Sequence, residues 1–217
     1  MSYNSPGEGR TYLKNRWWEM LSISDERLQD QAADVFDVLC HYYSAPDRVY
    51  HTLEHIWYLL KAQEHYFPDM SRAGILAIFW HDVIYFPGSP NSEEYSAHMM
   101  RTYMKGLIGG TVIDFAALIV RETKAHDPHP VDITARQVCD LDLMGLGGPA
   151  LAYDRNTDKI RLEFFRATDE QWVAGRRAFL SDRLTRPATF HTEVMSARFE
   201  DLARANMQRE LDNLPHT

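Results

Sequence analysis

The 217-residue chain predicts an all-α protein. Apolar residues recur at helical spacing in nearly every segment, while strand-like alternation persists nowhere. Breaks marked by Asp, Pro and Gly separate the segments. A composition of 45% hydrophobic and 25% charged residues fits one globular core, and no internal repeat or low-complexity linker divides it. The expected organisation is a flexible polar N-terminus over residues 1–10 and a single helical domain over 11–217.

Taken in order, SDERLQDQAADVFDVLCHYYS starts with Ser24 as a cap and acidic first-turn residues. It places Leu28, Ala32, Val35, Phe36, Val38 and Leu39 on one broad face. SAPDR breaks it at Pro46, and HTLEHIWYLLKAQEHYF forms the next helix, ended by Pro68. Residues 71–85 read as a strongly apolar, central helix closed by FPGSPNS. SEEYSAHMMRTYMKGL follows, with Ser92 as its cap, two glutamates where the helix dipole favours them, and Gly109-Gly110 as its stop. Further helices are expected over 111–124, 131–145, 149–167, 169–184 and 191–213.

Composition also narrows function. A net charge of −8 without a basic block argues against a nucleic-acid duplex as partner. Cys40 and Cys139 both sit in apolar helical contexts and read as buried thiols, too few for a zinc knuckle. MSYNSPGEGR lacks the apolar run of a signal peptide, and no stretch approaches a membrane span, so a cytoplasmic address is expected. A homodimer is left open.

Several polar residues interrupt the apolar pattern. His51 and His55 in YHTLEH are four apart, which on a helix directs both to one face. FWHDVIYF sets His81 and Asp82 among Phe, Trp, Val, Ile and Tyr, where an uncompensated carboxylate costs several kcal/mol. VCDLDLMGLG carries Asp140 and Asp142, about 200° apart on a helix, so one is expected to face the core and one solvent. The set His55, His81, Asp82 and Asp142 draws two imidazoles and two carboxylates from three helices. Such a shell suits a divalent transition metal (Mn, Fe, Co, Ni or Zn), with Mg also admitted, and the ion's charge would offset the buried acids.

The order His, then His-Asp, then a later Asp resembles the HD superfamily of metal-dependent phosphohydrolases, whose members are all-helical. The chain looks closest to a small bacterial family known only as predicted HD phosphohydrolases. The matching stretches run from YSAPDRVYHTLEHI through FWHDVIYF, EEYSA, TKAH and DLDLMGLG to YDRNTDKIRLEFF, GRRAFL and ARANMQREL, about residues 36–214. The resemblance implies a single HD-type helical bundle with metal ligands at His55, His81, Asp82 and Asp142, with His55 chosen over His51. YHTLEH is also similar to a motif of cyclic-nucleotide phosphodiesterases whose first His protonates the leaving oxygen, which makes His51 the candidate general acid. Thr52 stands where that motif has Asn. The Glu-Asp pair that follows HD in ppGpp hydrolases is replaced by Val-Ile-Tyr-Phe, and the HDGYP signature of cyclic-di-GMP hydrolases is absent.

The expected activity is hydrolysis of a small phosphate ester, a nucleotide foremost, by metal-activated water. Asp82 would take the water's proton and His51 would protonate the leaving alkoxide. Arg48, Lys124 and His126 are the candidates to grip phosphate, with a second-ion ligand as the other role for His126. Glu93 and Glu94 are expected to serve helix initiation, and Asp140 to lie on the solvent side or behind a ligand. Two alternatives stand beside this reading. One is a di-iron oxygenase, whose extra histidines only His98 and His126 could supply; the other is a non-catalytic helical protein that binds a metal or ligand.

Overall fold

The computed structural model describes residues 6–215, and among them the secondary structure is helical throughout, without a strand. The elements are α1 (Pro6–Leu21), α2 (Glu26–Tyr43), α3 (Leu53–Tyr66), α4 (Arg72–Trp80), α5 (Ser92–Met104), α6 (Gly110–Glu122) and α7 (Ile133–Leu143). A short 3-10 helix (Met144–Gly147) follows, then α8 (Ala150–Glu163), α9 (Asp169–Thr185) and α10 (Glu193–Asn213). The all-α class is as expected.

α4 is the axis of the molecule. Seven of its nine residues are buried, from Ala73 to Trp80, and α1, α3, α5, α6 and α7 all pack on it. A second group forms around the 3-10 helix, which packs against α8 and α10, while α9 packs against α10. Asn206 of α10 donates to the carbonyls of Leu146 and Gly148 at 2.9 and 2.8 Å, fastening the 3-10 helix. Gly147 is required there: a Cβ would stand 2.6 Å from Phe199 Cβ and 2.9 Å from the Phe199 carbonyl, so the α10 backbone would have to move. Gly147→Ala is expected to destabilise by about 1–3 kcal/mol, read as a melting temperature lower by several degrees.

Several boundaries differ from expectation. Residues 6–10, expected to be flexible, belong to α1, while 1–5 lie outside the described residues. α1 buries Leu13, Trp17, Met20 and Leu21 at helical spacing, and Trp17 Nε1 donates to the Ala32 carbonyl of α2 at 3.0 Å. The α2 cap is Asp25, whose carboxylate accepts from Arg27 N; Ser24 precedes it. α3 begins at Leu53 because Thr52 caps it, so His51 sits in the turn ahead of the helix and does not share a helical face with His55.

α4 stops at Trp80, five residues short of the expected end. Side chains from elsewhere claim the backbone groups that a longer helix would use itself. Arg48 donates to the carbonyls of Asp82 and Val83 at 2.6 and 2.8 Å. Ser96 Oγ bonds Ile84 N at 3.0 Å, and Ser92 Oγ bonds Phe86 N at 3.1 Å. Ser92 is therefore the first residue of α5 and a buried strap, not its cap, which is Asn91. Gly109-Gly110 opens α6 instead of ending α5, whose exit is the turn at Gly106, with φ of 87°.

Both cysteines are free and buried, as expected. No helix among the described residues is long and apolar enough to cross a membrane.

Candidate metal centre

Four side chains from α3, the end of α4 and α7 converge: His55, His81, Asp82 and Asp142. One ligand atom from each lies within 4.8 Å of all the others. His55 Nε2 stands 3.3 Å from His81 Nε2 and 3.1 Å from Asp142 Oδ1. His81 Nε2 lies 3.0 Å from Asp82 Oδ2 and 3.5 Å from Asp142 Oδ1, and His55 Nε2 is 3.9 Å from Asp82 Oδ2. Atoms held about 2.1 Å from one ion stand about 3.0 Å apart at right angles and about 3.4 Å apart at tetrahedral angles. The spacings therefore match a shared ion.

The donor chemistry matches as well. His81 Nδ1 faces the Ile78 carbonyl at 3.0 Å, so it carries a hydrogen and turns the Nε2 lone pair toward the cluster. Without an ion, only protons can offset two carboxylates brought together among apolar residues. Burial pulls the His81 imidazolium down, but Asp82 and Asp142 outweigh it and push the pKa well above its ordinary value. Asp142 is held well below the carboxylate range: burial raises it, while His81, His126 and His55 lower it more. His55, dominated by burial, is shifted down and favours the neutral ring that ligates metals. The interruption in FWHDVIYF thus has its compensation, a cation or a proton at His81.

His51 stands at the edge of the cluster, with Nε2 3.9 Å from Asp82 Oδ2. Its other nitrogen, Nδ1, is 2.6 Å from Glu163 Oε2. Glu163, at the end of α8, has a side chain with no exposed surface. Its Oε1 accepts from the backbone N–H groups of Val49, Tyr50 and His51 at 2.7–2.9 Å. Burial raises the Glu163 pKa, yet the His51 ring and these amides lower it further, so it stays ionised. Burial likewise lowers His51, but Asp82 and Glu163 together raise it above its ordinary value. The Tyr85 ring lies against His51 with centroids 4.1 Å apart. Nothing in the local sequence pattern had marked Glu163.

His126 stands beside the cluster, with Nε2 2.8 Å from Asp142 Oδ2, the carboxylate oxygen opposite the one facing His55. It is one of two described non-glycine residues with positive φ, at 46°, a conformation sustained only when neighbours impose it. Arg183 donates to the Ala125 carbonyl at 2.6 Å, and His191 Nε2 meets the His126 carbonyl at 3.0 Å.

Three expectations require correction. Arg48 lines neither cavity beside the cluster and is not a free phosphate grip; its guanidinium bonds the carbonyls of His51, Asp82 and Val83, so it braces the turn that carries Asp82. Lys124 donates to the Pro90 carbonyl at the surface and lines none of the cavities beside the cluster. Asp140 is fully buried, not on the solvent side, and its bonds go to the segment before α10, not to a residue of the cluster. It accepts from His191 N at 2.6 Å and from Thr192 N and Oγ1 at 2.7 and 2.6 Å, tying α7 to the start of α10. His98 is exposed on α5 and outside the cluster. Glu94 pairs with Arg121 on α6.

Two cavities meet at Asp142. The larger, about 380 Å³, is mainly apolar and is lined by Tyr58, Leu59, Met144 and Phe199 beside His55. The smaller, about 140 Å³, is lined by His51, His126, Tyr153, Asn156 and Arg176. Compared with models of protein families, with curated proteins and with solved structures, the chain finds no match.

Proposed function

We propose that this protein is a metal-dependent phosphohydrolase acting on a small phosphate ester, and that a nucleotide is the substrate class to test first. The observation that carries the reading is the convergence of His55, His81, Asp82 and Asp142, with the Glu163-held ring of His51 beside them. The HD-like order of these residues along the chain supports it. Two imidazoles and two carboxylates favour Mn, Fe, Co, Ni or Zn over purely oxygen-liganded ions. An ion held there would acidify a water and polarise a phosphoryl oxygen.

The chain's own residues supply the rest. Water oxygen bonds to phosphorus, its proton passes to Asp82, and the bond to the leaving oxygen breaks. That oxygen takes the Nε2 proton of His51, which Glu163 keeps oriented through Nδ1. Tyr58, Leu59 and Phe199 offer an apolar wall for an organic group such as a base. The di-iron oxygenase alternative loses one of its two candidate histidines, because His98 is exposed on α5, whereas His126 bonds Asp142.

The test is a hydrolysis screen of metal-stripped protein reloaded with Mn, Fe, Co, Ni, Zn or Mg, over nucleotides and generic phosphate esters. Phosphate release is expected only after reloading, and chelator should abolish it. One bound ion per chain with no ester turned over would replace this reading with that of a non-catalytic binding protein.

A further inference from the structure

Arg176 is the cation that the small cavity contains. It lies on α9 with a side chain only 9% exposed. Its Nε and Nη2 form a two-pronged pair with Glu210 at 2.7 and 2.9 Å, and Nη2 also reaches Tyr153 Oη and Thr157 Oγ1 at 3.3 and 3.4 Å. Tyr153 Oη donates in turn to Glu210. The Phe179 ring lies 5.1 Å from the guanidinium carbon. These contacts fix the guanidinium plane and account for Nε and Nη2. Nη1 makes no hydrogen bond to the described residues, and Arg176 lines the cavity it shares with His51, His126 and Asp142.

We infer that Arg176 binds a non-bridging phosphoryl oxygen of the substrate, and that the substrate is a phosphate monoester. This rests on the phosphohydrolase reading above and specifies its substrate class. Two cavities flank Asp142, both with mostly apolar walls, and they differ in size and in the polar groups they offer. The larger, about 380 Å³, has room for an organic group against Tyr58, Leu59 and Phe199, and its one cation, Lys159, pairs with Glu54 at 3.7 Å. The smaller, about 140 Å³, presents Arg176, His51 and His126, which the larger does not, and suits an oxyanion. A diester would need a second organic substituent where the guanidinium stands. Glu210 neutralises the charge of Arg176, so the arginine contributes a directed hydrogen bond more than long-range attraction. Asp82 and Asp142 would repel an anion in the metal-free protein, so phosphate should bind only after an ion is loaded.

The experiment titrates Mn-loaded protein with inorganic phosphate by calorimetry, for wild type, Arg176→Gln and Arg176→Lys. Mn stoichiometry and melting temperature are measured on each. Wild type should bind phosphate only with Mn present. Arg176→Gln should weaken it about tenfold or more at unchanged Mn stoichiometry, and Arg176→Lys, lacking the fork, should fall between. If Arg176→Gln fails to fold, Arg176→Lys carries the comparison, because it keeps a cation beside Glu210. Equal phosphate affinity in wild type and a folded variant overturns the subsite and leaves the hydrolase reading intact. No phosphate binding by Mn-loaded wild type overturns the subsite too. Phosphate binding that depends on Arg176, in a protein that hydrolyses no ester, upholds the subsite and removes the hydrolase. A paired assay should give kcat/KM for phenyl phosphate above that for diphenyl phosphate; the reverse order overturns the monoester assignment.

Discussion

His81→Ala is expected to abolish stoichiometric binding of a divalent metal and to cut metal-dependent phosphate release by about three or more orders of magnitude. His81 is the ring nearest the middle of the cluster, within 3.5 Å of ligand atoms from His55, Asp82 and Asp142. Removing it leaves two carboxylates facing one imidazole, with neither the fourth ligand nor the proton that His81 supplies in the metal-free state. The wild-type protein should be stabilised by a bound ion, by about 2.7 kcal/mol at a hundred times the dissociation constant. His81→Ala should lose that stabilisation, seen as a melting temperature indifferent to Mn or chelator. Asp142→Asn, which conserves volume and can keep its contact with His126, should also lose the ion while folding normally. Metal analysis showing one ion per chain in both variants would remove the site as drawn.

The residues legible in the sequence share one property: each is a polar group in a run that is otherwise core. His81 and Asp82 stand out because Phe79, Trp80 and Val83 around them are buried. Glu163 escaped the same test because its surroundings invert the pattern. Leu162 and Phe165 are largely exposed while the acid between them is buried, so an amphipathic reading places it outward. Its partners are backbone amides more than a hundred residues away, and amides leave no trace in composition. Arg48 misled for a related reason: nearness to His51 in sequence suggested substrate, but open carbonyls at the end of α4 take its donors. Asp140 and Asp142 do point in different directions, yet α7 has protein on both sides, because the segment before α10 covers the face that helix geometry alone assigns to water. α1 followed the rules throughout, with Leu13, Trp17, Met20 and Leu21 at helical intervals. Its polar, glycine-bearing start masked that pattern.

Glu163→Gln is expected to lower kcat about a hundredfold on esters with poor leaving groups, with KM and metal stoichiometry little changed. The substitution can keep an oxygen for the amides of Val49, Tyr50 and His51, so the turn ahead of α3 should hold. What changes is the group facing His51 Nδ1. A carboxylate there accepts the Nδ1 hydrogen and stabilises the doubly protonated ring. A carboxamide that turns its NH2 toward Nδ1 makes that nitrogen an acceptor and disfavours the imidazolium, so Nε2–H becomes a poor acid. Protonation matters most when the departing oxygen is strongly basic, so the deficit should shrink on p-nitrophenyl phosphate, whose leaving group departs without a proton. His51→Ala should show the same dependence on leaving group, and adding Glu163→Gln to it should cost little more, because both act through one proton. A role for Glu163 in folding alone would depress all substrates alike and lower the melting temperature. Equal losses on alkyl and p-nitrophenyl esters would therefore sink the assignment of His51 as the acid and of Glu163 as the residue that orients it.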